Sequence, residues 1–261
     1  MSIPPIRQIL LQPGKKIYFA SDFHFGIPDY AATRAREKQV CQWLDEIKKD
    51  AQQIYLLGDV WDSWMEYTRV VPKGSIRFLG KLAELSDSGI ELIIFTGNHD
   101  LWMRGYVEQE LGATVYKSAT TFQFNTTRIH LAHGDGVCKK EIKYRCLKAL
   151  LQHPLSQWIY RKLHPDWGLK IADSFSRMGP KHKYQDLAMK ADDQEYQIIY
   201  AHSVLQQEAM DYFIFGHRHI PLEKALNPQS TFINLGDWIS YKTYAVFDGK
   251  KASLETFDTK K

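Results

Sequence analysis

Apolar positions follow two rhythms along this chain. In its first part, short apolar runs alternate with longer segments whose apolar side chains recur every three or four positions. Runs at 16–21, 53–57 and 91–96 have the length and the β-branched or aromatic content of strands buried on both faces. Between them, 31–50 carries Val40, Trp43, Leu44 and Ile47, and 75–88 carries Ile76, Leu79, Leu82, Ala83 and Leu85. Each set is spaced as one face of a helix, and Gly89 closes the second. Strand signals return at 121–125 and 128–132. From about 139 to 207 the pattern turns helical, aromatic and basic. Further strands are expected at 212–215, 222–226, 231–235, 243–247 and 252–257, with Asn227-Pro228 and Asp248-Gly249 as turns. The chain reads as an α/β half, a helical insert and a β-rich half, which predicts a sheet covered by helices.

Composition narrows this picture. With 261 residues, 44% hydrophobic and 25% charged, the chain can bury a normal core. A net charge of +4 does not by itself call for a polyanionic partner. Three cysteines without a Cys-x-x-Cys pair argue against a disulfide framework or a thiolate zinc site and fit a reducing compartment. No secretory signal pattern and no apolar run of roughly 18 residues is present, so a cytoplasmic protein is expected.

The polar residues that stand out come directly after predicted strands. Asp22 and His24 follow the first as Asp-x-His, Asp59 follows the second in Gly58-Asp59-Val60-Trp61-Asp62, and Asn98, His99 and Asp100 follow the third. His133 follows a later strand in His133-Gly134-Asp135, and His217 and His219 follow another in Gly216-His217-Arg218-His219. Ligands of open α/β sheets gather at the carboxyl ends of strands, so these clusters are expected to converge. Oxygen and imidazole donors without thiolates suit Mn²⁺, Fe or Zn²⁺. Asp59, with two carboxylate oxygens, can bridge two ions. A pair of ions about 3.5–4 Å apart activates water and clamps phosphoryl oxygens. Each cluster alone is commonplace, since a His-x-His on a strand or a Gly-Asp-x-x-Asp turn is more often structural. Their joint occurrence carries the reading: a two-metal phosphoesterase.

Taken in order, the motifs Asp-x-His, Gly-Asp-x-x-Asp, Gly-Asn-His-Asp, His and Gly-His-x-His resemble the signature of the calcineurin-like metallophosphoesterases. The resemblance implies a four-layer α-β-β-α sandwich forming one domain, with a helical insert (a lid) at about 139–207. It implies two divalent ions, Mn²⁺ first, with Fe or Zn²⁺ as alternatives. Asp22, His24 and His219 would hold one ion, Asn98, His133 and His217 the other, and Asp59 would bridge them. His99 would act as general acid or transition-state stabiliser, with Asp100 orienting it.

Within that superfamily the chain is most similar to the group that hydrolyses UDP-2,3-diacylglucosamine in lipid A synthesis. The carriers are Gly58-Asp59-Val60-Trp61-Asp62-Ser63-Trp64, His133-Gly134-Asp135-Gly136-Val137-Cys138 followed by Tyr144, and Leu235-Gly236-Asp237-Trp238. The chain departs from that group at Lys139-Lys140-Glu141, Arg145 and His99, where Thr-Asp-Asp, Gln and Arg are usual. The implied partner is a UDP-linked acylated sugar, released as UMP and the sugar 1-phosphate, with Trp64, Arg104, Tyr144 and Arg145 as candidate substrate contacts. A buried structural tryptophan and a surface arginine are equally natural readings of Trp64 and Arg104.

The insert bears on this separately. Between 139 and 190 it has twelve basic residues against four acidic ones, interleaved with Leu, Ile and Trp. That suits a lid over acyl chains at the cytoplasmic face of the inner membrane. An ordinary solvated helical insertion and a nucleic-acid groove are the other readings, and nucleic acid is the least expected. Nothing signals a protein partner. The rival functions are a soluble phosphodiesterase or nucleotidase of the same superfamily, a nuclease, and a scaffold without catalysis.

Overall fold

The computed structural model describes residues 6–178 and 191–258. Two six-stranded sheets face each other. The first has the order β12 (Ala252–Thr256), β11 (Thr243–Phe247), β2 (Lys16–Ala20), β3 (Ala51–Leu57), β4 (Glu91–Phe95) and β5 (Thr114–Tyr116), parallel from β2 to β5. The second has the order β1 (Arg7–Ile9), β6 (Thr120–Phe124), β7 (Thr127–Ala132), β8 (Tyr212–Phe215), β10 (Ser230–Leu235) and β9 (Pro221–Asn227), with β7, β8 and β10 mutually parallel.

The alternation of side chains along each central strand explains why both faces are apolar. Ile17, Phe19, Tyr55, Leu57, Ile93 and Phe95 point towards the second sheet and meet Phe122, Phe124, Ile129, Leu131, Ile214, Ile233 and Leu235. Their neighbours Tyr18, Ala20, Ile54, Leu56, Leu92 and Ile94 point the other way, onto α1 (Tyr30–Ile47), α2 (Ile76–Asp87) and α3 (Tyr106–Leu111). Those helices return Val40, Trp43, Leu44, Phe78, Leu82 and Val107. On the far side, Phe213, Phe215 and Phe232 receive Ile198 and Ala201 of α7 (Tyr196–Leu205). The result is the four-layer α-β-β-α arrangement.

Local chemistry sets the helix starts. Asp29 accepts from Ala32 N at 2.8 Å and caps α1. The first amides of α2 have no such cap; Glu37 of α1 reaches across and accepts from Arg77 N and Phe78 N at 2.8 and 3.2 Å. The central strands and α1, α2 lie where their periodicity predicts. The three-residue strands β1 and β5 and the six-residue α3 were not anticipated, because segments that short carry no readable period.

The expected 139–207 insert comprises α4 (Ile142–Gln152), α5 (Pro154–Tyr160) and α6 (Pro165–Met178), followed by residues 179–190, which lie outside the described residues, and then α7. α7 sits in the core of the second sheet, whereas α4 and α5 bury no residue. The insert docks through Tyr160, Leu169 and Ala172 on Met65, Leu101 and Trp102, whose indole Nε1 donates to Leu151 O at 2.9 Å.

Candidate metal centre

Parallel pairing places the carboxyl ends of β2, β3 and β4 along one sheet edge and those of β7, β8 and β10 along the other. The two edges are stitched together. His133 Nδ1 donates to Leu57 O at 2.7 Å, His217 N donates to Asp22 Oδ2 at 3.0 Å, and Trp238 N donates to Asp22 O at 3.2 Å. Three overlapping groups form there, each with donor atoms within 4.8 Å of one another: Asp22, His24, His219; His24, Asp59, His99; and Asp59, His133, His217. Asn98 joins the last group, its Oδ1 3.3 Å from His133 Nε2. The structure thus brings together every residue named above as a metal ligand.

Hydrogen bonding decides which imidazole nitrogen carries the hydrogen. Carboxylates and carbonyls only accept, so an imidazole nitrogen facing one carries the hydrogen. His24 Nδ1 faces Asp62 Oδ1 at 3.2 Å, His219 Nδ1 faces Asp237 Oδ2 at 3.0 Å, and His99 Nδ1 faces Asp62 O at 2.8 Å. The Nε2 atoms of His24 and His219 are thereby turned inward, 3.2 Å apart. Asp22 Oδ1 is buried without a hydrogen bond, 3.3 Å from His219 Nε2 and 3.7 Å from His24 Nε2. Asp59 Oδ1 accepts from His99 N at 2.9 Å, while its Oδ2 lies between His24 Nε2 at 3.6 Å and His133 Nε2 at 3.2 Å. Two inward lone pairs beside an unsatisfied buried carboxylate oxygen repel one another unless a cation or a proton lies between them. This donor set fits divalent metal ions, with Asp59 placed to touch two.

The backbone carries the same message. Eight non-glycine residues among those described have φ in the left-handed region, and five are Asp22, His24, Asp59, His217 and His219. Each costs about 1–3 kcal/mol and persists only where the surroundings over-determine it. Close approach also demands glycine at 97, where a Cβ would lie 2.2 Å from Asp59 Oδ1. At Gly134 (φ +115°) a Cβ would lie 2.1 Å from Gln197 Nε2.

Electrostatics of the metal-free cluster follow. Burial pulls His24 down, but Asp22, Asp62 and Asp59 outweigh it and raise its pKa to about 10. Burial likewise opposes protonation of His133, yet Asp59, Asp22 and Asp135 raise it to about 10. His217 is lowered to about 4 by burial and by the charge of His133. Burial would lift Asp22, but His219 and His24 hold it down at about 2. Protons therefore occupy this site when cations do not.

The remaining expected site residues differ in placement. His99 is partly exposed at the mouth of the cluster, and Asp62, not Asp100, orients its ring. The expectation that Asp100 sits behind His99 needs correction. Its carboxylate accepts from Gly97 N at 2.6 Å and Val60 N at 2.9 Å, so it braces the two ligand-bearing turns. Burial and the Asp59 charge raise it to about 6. Trp64 is buried, packs on Trp61 at 4.1 Å between ring centroids, donates to Glu66, and shows one edge to a cleft of about 430 Å³. That cleft opens on Asn98 and His99 and is walled by Met65, Leu101, Trp102, Leu147, Leu151 and Tyr160, with Tyr144 and Lys148 at its polar end. Arg104 turns away to Gln157 at 3.1 Å, and Arg145 is not among the lining residues.

Four supporting residues were not singled out from the sequence. Asp62 and Asp237 lie inside motifs already quoted, but 38 and 18 residues away in sequence from His24 and His219, which they support. Gln197 and Asn234 carry no motif at all. Their side-chain amides donate to Gly216 O at 3.0 and 2.8 Å, fixing the peptide just before His217.

A Calcineurin-like phosphoesterase family model matches residues 15–221. A UDP-2,3-diacylglucosamine hydrolase of Porphyromonas gingivalis is 39% identical over 258 residues, covering 93% of this chain and 98% of the relative. A protein of the same name from Pseudomonas fluorescens is 28% identical over 214 residues, covering 80% and 83%. The family match spans the strand ends at which the Asp, His and Asn side chains gather, and the chain accordingly belongs to the calcineurin-like phosphoesterases, a family of metal-dependent hydrolases.

Proposed function

We propose that this enzyme hydrolyses the phosphoanhydride of a UDP-linked diacylated glucosamine, giving UMP and the acylated sugar 1-phosphate. The observation that carries the reading is the apolar cleft opening directly on the Asn98 and His99 side of the cluster. A soluble nucleotide or simple diester has no use for a wall of Leu, Met and Trp side chains. Two acyl chains next to a diphosphate do. The names of the two relatives point the same way.

Asp22, His24 and His219 are assigned to one divalent ion, Asn98, His133 and His217 to the second, and Asp59 to both, with Mn²⁺ the first choice. When bound, such a pair supplies an activated water and positive charge for the phosphoryl oxygens. The chain's own contribution is to hold every donor rigidly. Asp62, Asp237 and the Leu57 carbonyl fix three imidazoles through Nδ1. His99, held by Asp62 and open to the cleft, is placed to donate a hydrogen bond to the departing oxygen.

The same reading places the enzyme on a membrane surface. Ile142, Leu150, Leu155, Trp158, Ile159 and Trp167 are more than half exposed on α4, α5 and α6, interspersed with Lys139, Lys140, Lys143 and Lys162. Apolar anchors set among lysines suit an anionic bilayer. No described helix is long and apolar enough to cross one.

The test is UMP release from UDP-2,3-diacylglucosamine in mixed micelles with added Mn²⁺, alongside soluble nitrophenyl phosphodiesters. The reading expects metal-dependent release far more efficient than diester cleavage. Comparable efficiency on both would hand the site to the phosphodiesterase alternative.

A further inference from the structure

We infer that Lys148 is a catalytic cation of this site, neutralising the sugar phosphate released when the anhydride breaks; this rests on the function proposed above. Among the described residues lining the cleft, Lys148 is the only lysine or arginine. The same cleft is lined by the polar groups of Asn98, His99 and Tyr144 and by the apolar side chains of Leu147 and Leu151. The position of Lys148 is set by Asp135, a buried carboxylate two residues beyond His133. Lys148 Nζ lies 2.7 Å from Asp135 Oδ2, and the Tyr144 hydroxyl donates to the same oxygen at 2.5 Å. The loop of a candidate metal ligand therefore grips one cation and one hydroxyl of α4 at the boundary between polar cluster and apolar cleft. An ammonium has three donors, and its bonds to Asp135 point back into the loop. The Lys148 side chain retains 18% exposure and is one of the groups lining the cleft. A purely structural ion pair would not need to face the substrate.

The chemistry calls for such a group. With acyl chains in the cleft, the phosphate attached to the sugar lies next to Lys148, and the nucleotide phosphate lies towards the metals. The oxygen of water bonds to the nucleotide phosphorus. The bridging P–O bond breaks, its electron pair leaves on the sugar phosphate, and the two protons of the water go to solvent. Negative charge therefore grows on the leaving phosphate in a poorly hydrated cleft, where a fixed cation has the largest effect.

The experiment compares wild type with Lys148→Met and Lys148→Arg after metal content has been shown to be equal. Turnover is measured on the acylated UDP-sugar and on the p-nitrophenyl ester of UMP, whose leaving group carries no phosphate. Inhibition is measured with the acylated sugar 1-phosphate and with the same sugar lacking phosphate. Lys148→Met should lower kcat on the UDP-sugar about 100-fold, with a loss on the ester at least tenfold smaller. It should weaken inhibition only by the phosphorylated sugar, and Lys148→Arg should recover part of both. Equal losses on both substrates, or equal effects with both sugars, would overturn the inference and leave Lys148 as a brace for Asp135. No effect on any readout would overturn it as well. If the ester does not turn over, the pair of sugars decides. If wild type releases no UMP from the UDP-sugar, it is the function proposed above that fails.

Discussion

At the scale of single residues, the site is a problem of where protons and cations sit. Asp59 offers one oxygen to a backbone amide and the other to two imidazoles, and an asparagine in its place would keep only one of the two acceptor oxygens. Asp59→Asn should lose at least one ion per chain by metal analysis, and activity with it. Asp62→Asn should be milder, about 10–100-fold in metal affinity or rate, because Asp62 only aims His24 and His99. An Asp62→Asn protein with unchanged metal affinity and rate would contradict that assignment. The raised values of His24 and His133, about 10 each against 6.5, give a pH dependence with opposite signs for the two forms. In the metal-free fold their pairing with carboxylates is fully stabilising below about pH 6.5 and is lost as pH rises towards 10. Metal must displace those protons, so metal affinity rises over the same window. Calorimetry in buffers of different ionisation enthalpy should find about two protons released per pair of ions near pH 8. No proton release would mean that these imidazoles are not ligands.

At the scale of elements, the strands and helices divide the work. β2, β3, β4, β7 and β8 each end on a candidate ligand, and this much was legible in the sequence. An apolar run followed at once by Asp, Asn or His is a local pattern. What the sequence did not reveal is the support. Gln197 comes from α7, and its amide reaches Gly216 only because α7 packs on Phe213 and Phe215. A lone glutamine on a helix carries no spacing that could announce it. Asp100 was misplaced as well. The resemblance implied that it orients His99, but after a sharp turn its carboxylate faces the backbone of Gly97 and Val60. Gln197→Leu removes one of the two donors to Gly216 O and should cost roughly 1–3 kcal/mol by denaturant titration. It should also weaken metal binding, whereas a loss of stability without that weakening would make the residue merely structural. The insert gives a separate prediction: Leu155→Glu with Trp158→Glu should abolish sedimentation with anionic vesicles and spare metal binding. Unchanged sedimentation would return α4 and α5 to the status of a solvated lid.

At the scale of the molecule, the fold explains why one chain can join hard ligands to a greasy substrate. The two sheets converge at their carboxyl edges, which concentrates carboxylates and imidazoles in a buried, strained cluster. The helices of the insert stand over that edge and build the apolar wall beside it. The order of the layers was expected from the resemblance, and the alternation of Ile17 and Phe19 against Tyr18 and Ala20 shows how the sequence specifies it. The central claim is that these ligands form one two-metal site that runs the hydrolysis. The most direct test is to titrate Mn²⁺ into metal-free enzyme while following both bound metal and UMP release from the acylated UDP-sugar. The account predicts activity that rises to saturation at two equivalents per chain and is absent from Asp59→Asn. Activity complete at one equivalent, or undiminished in Asp59→Asn, would contradict it.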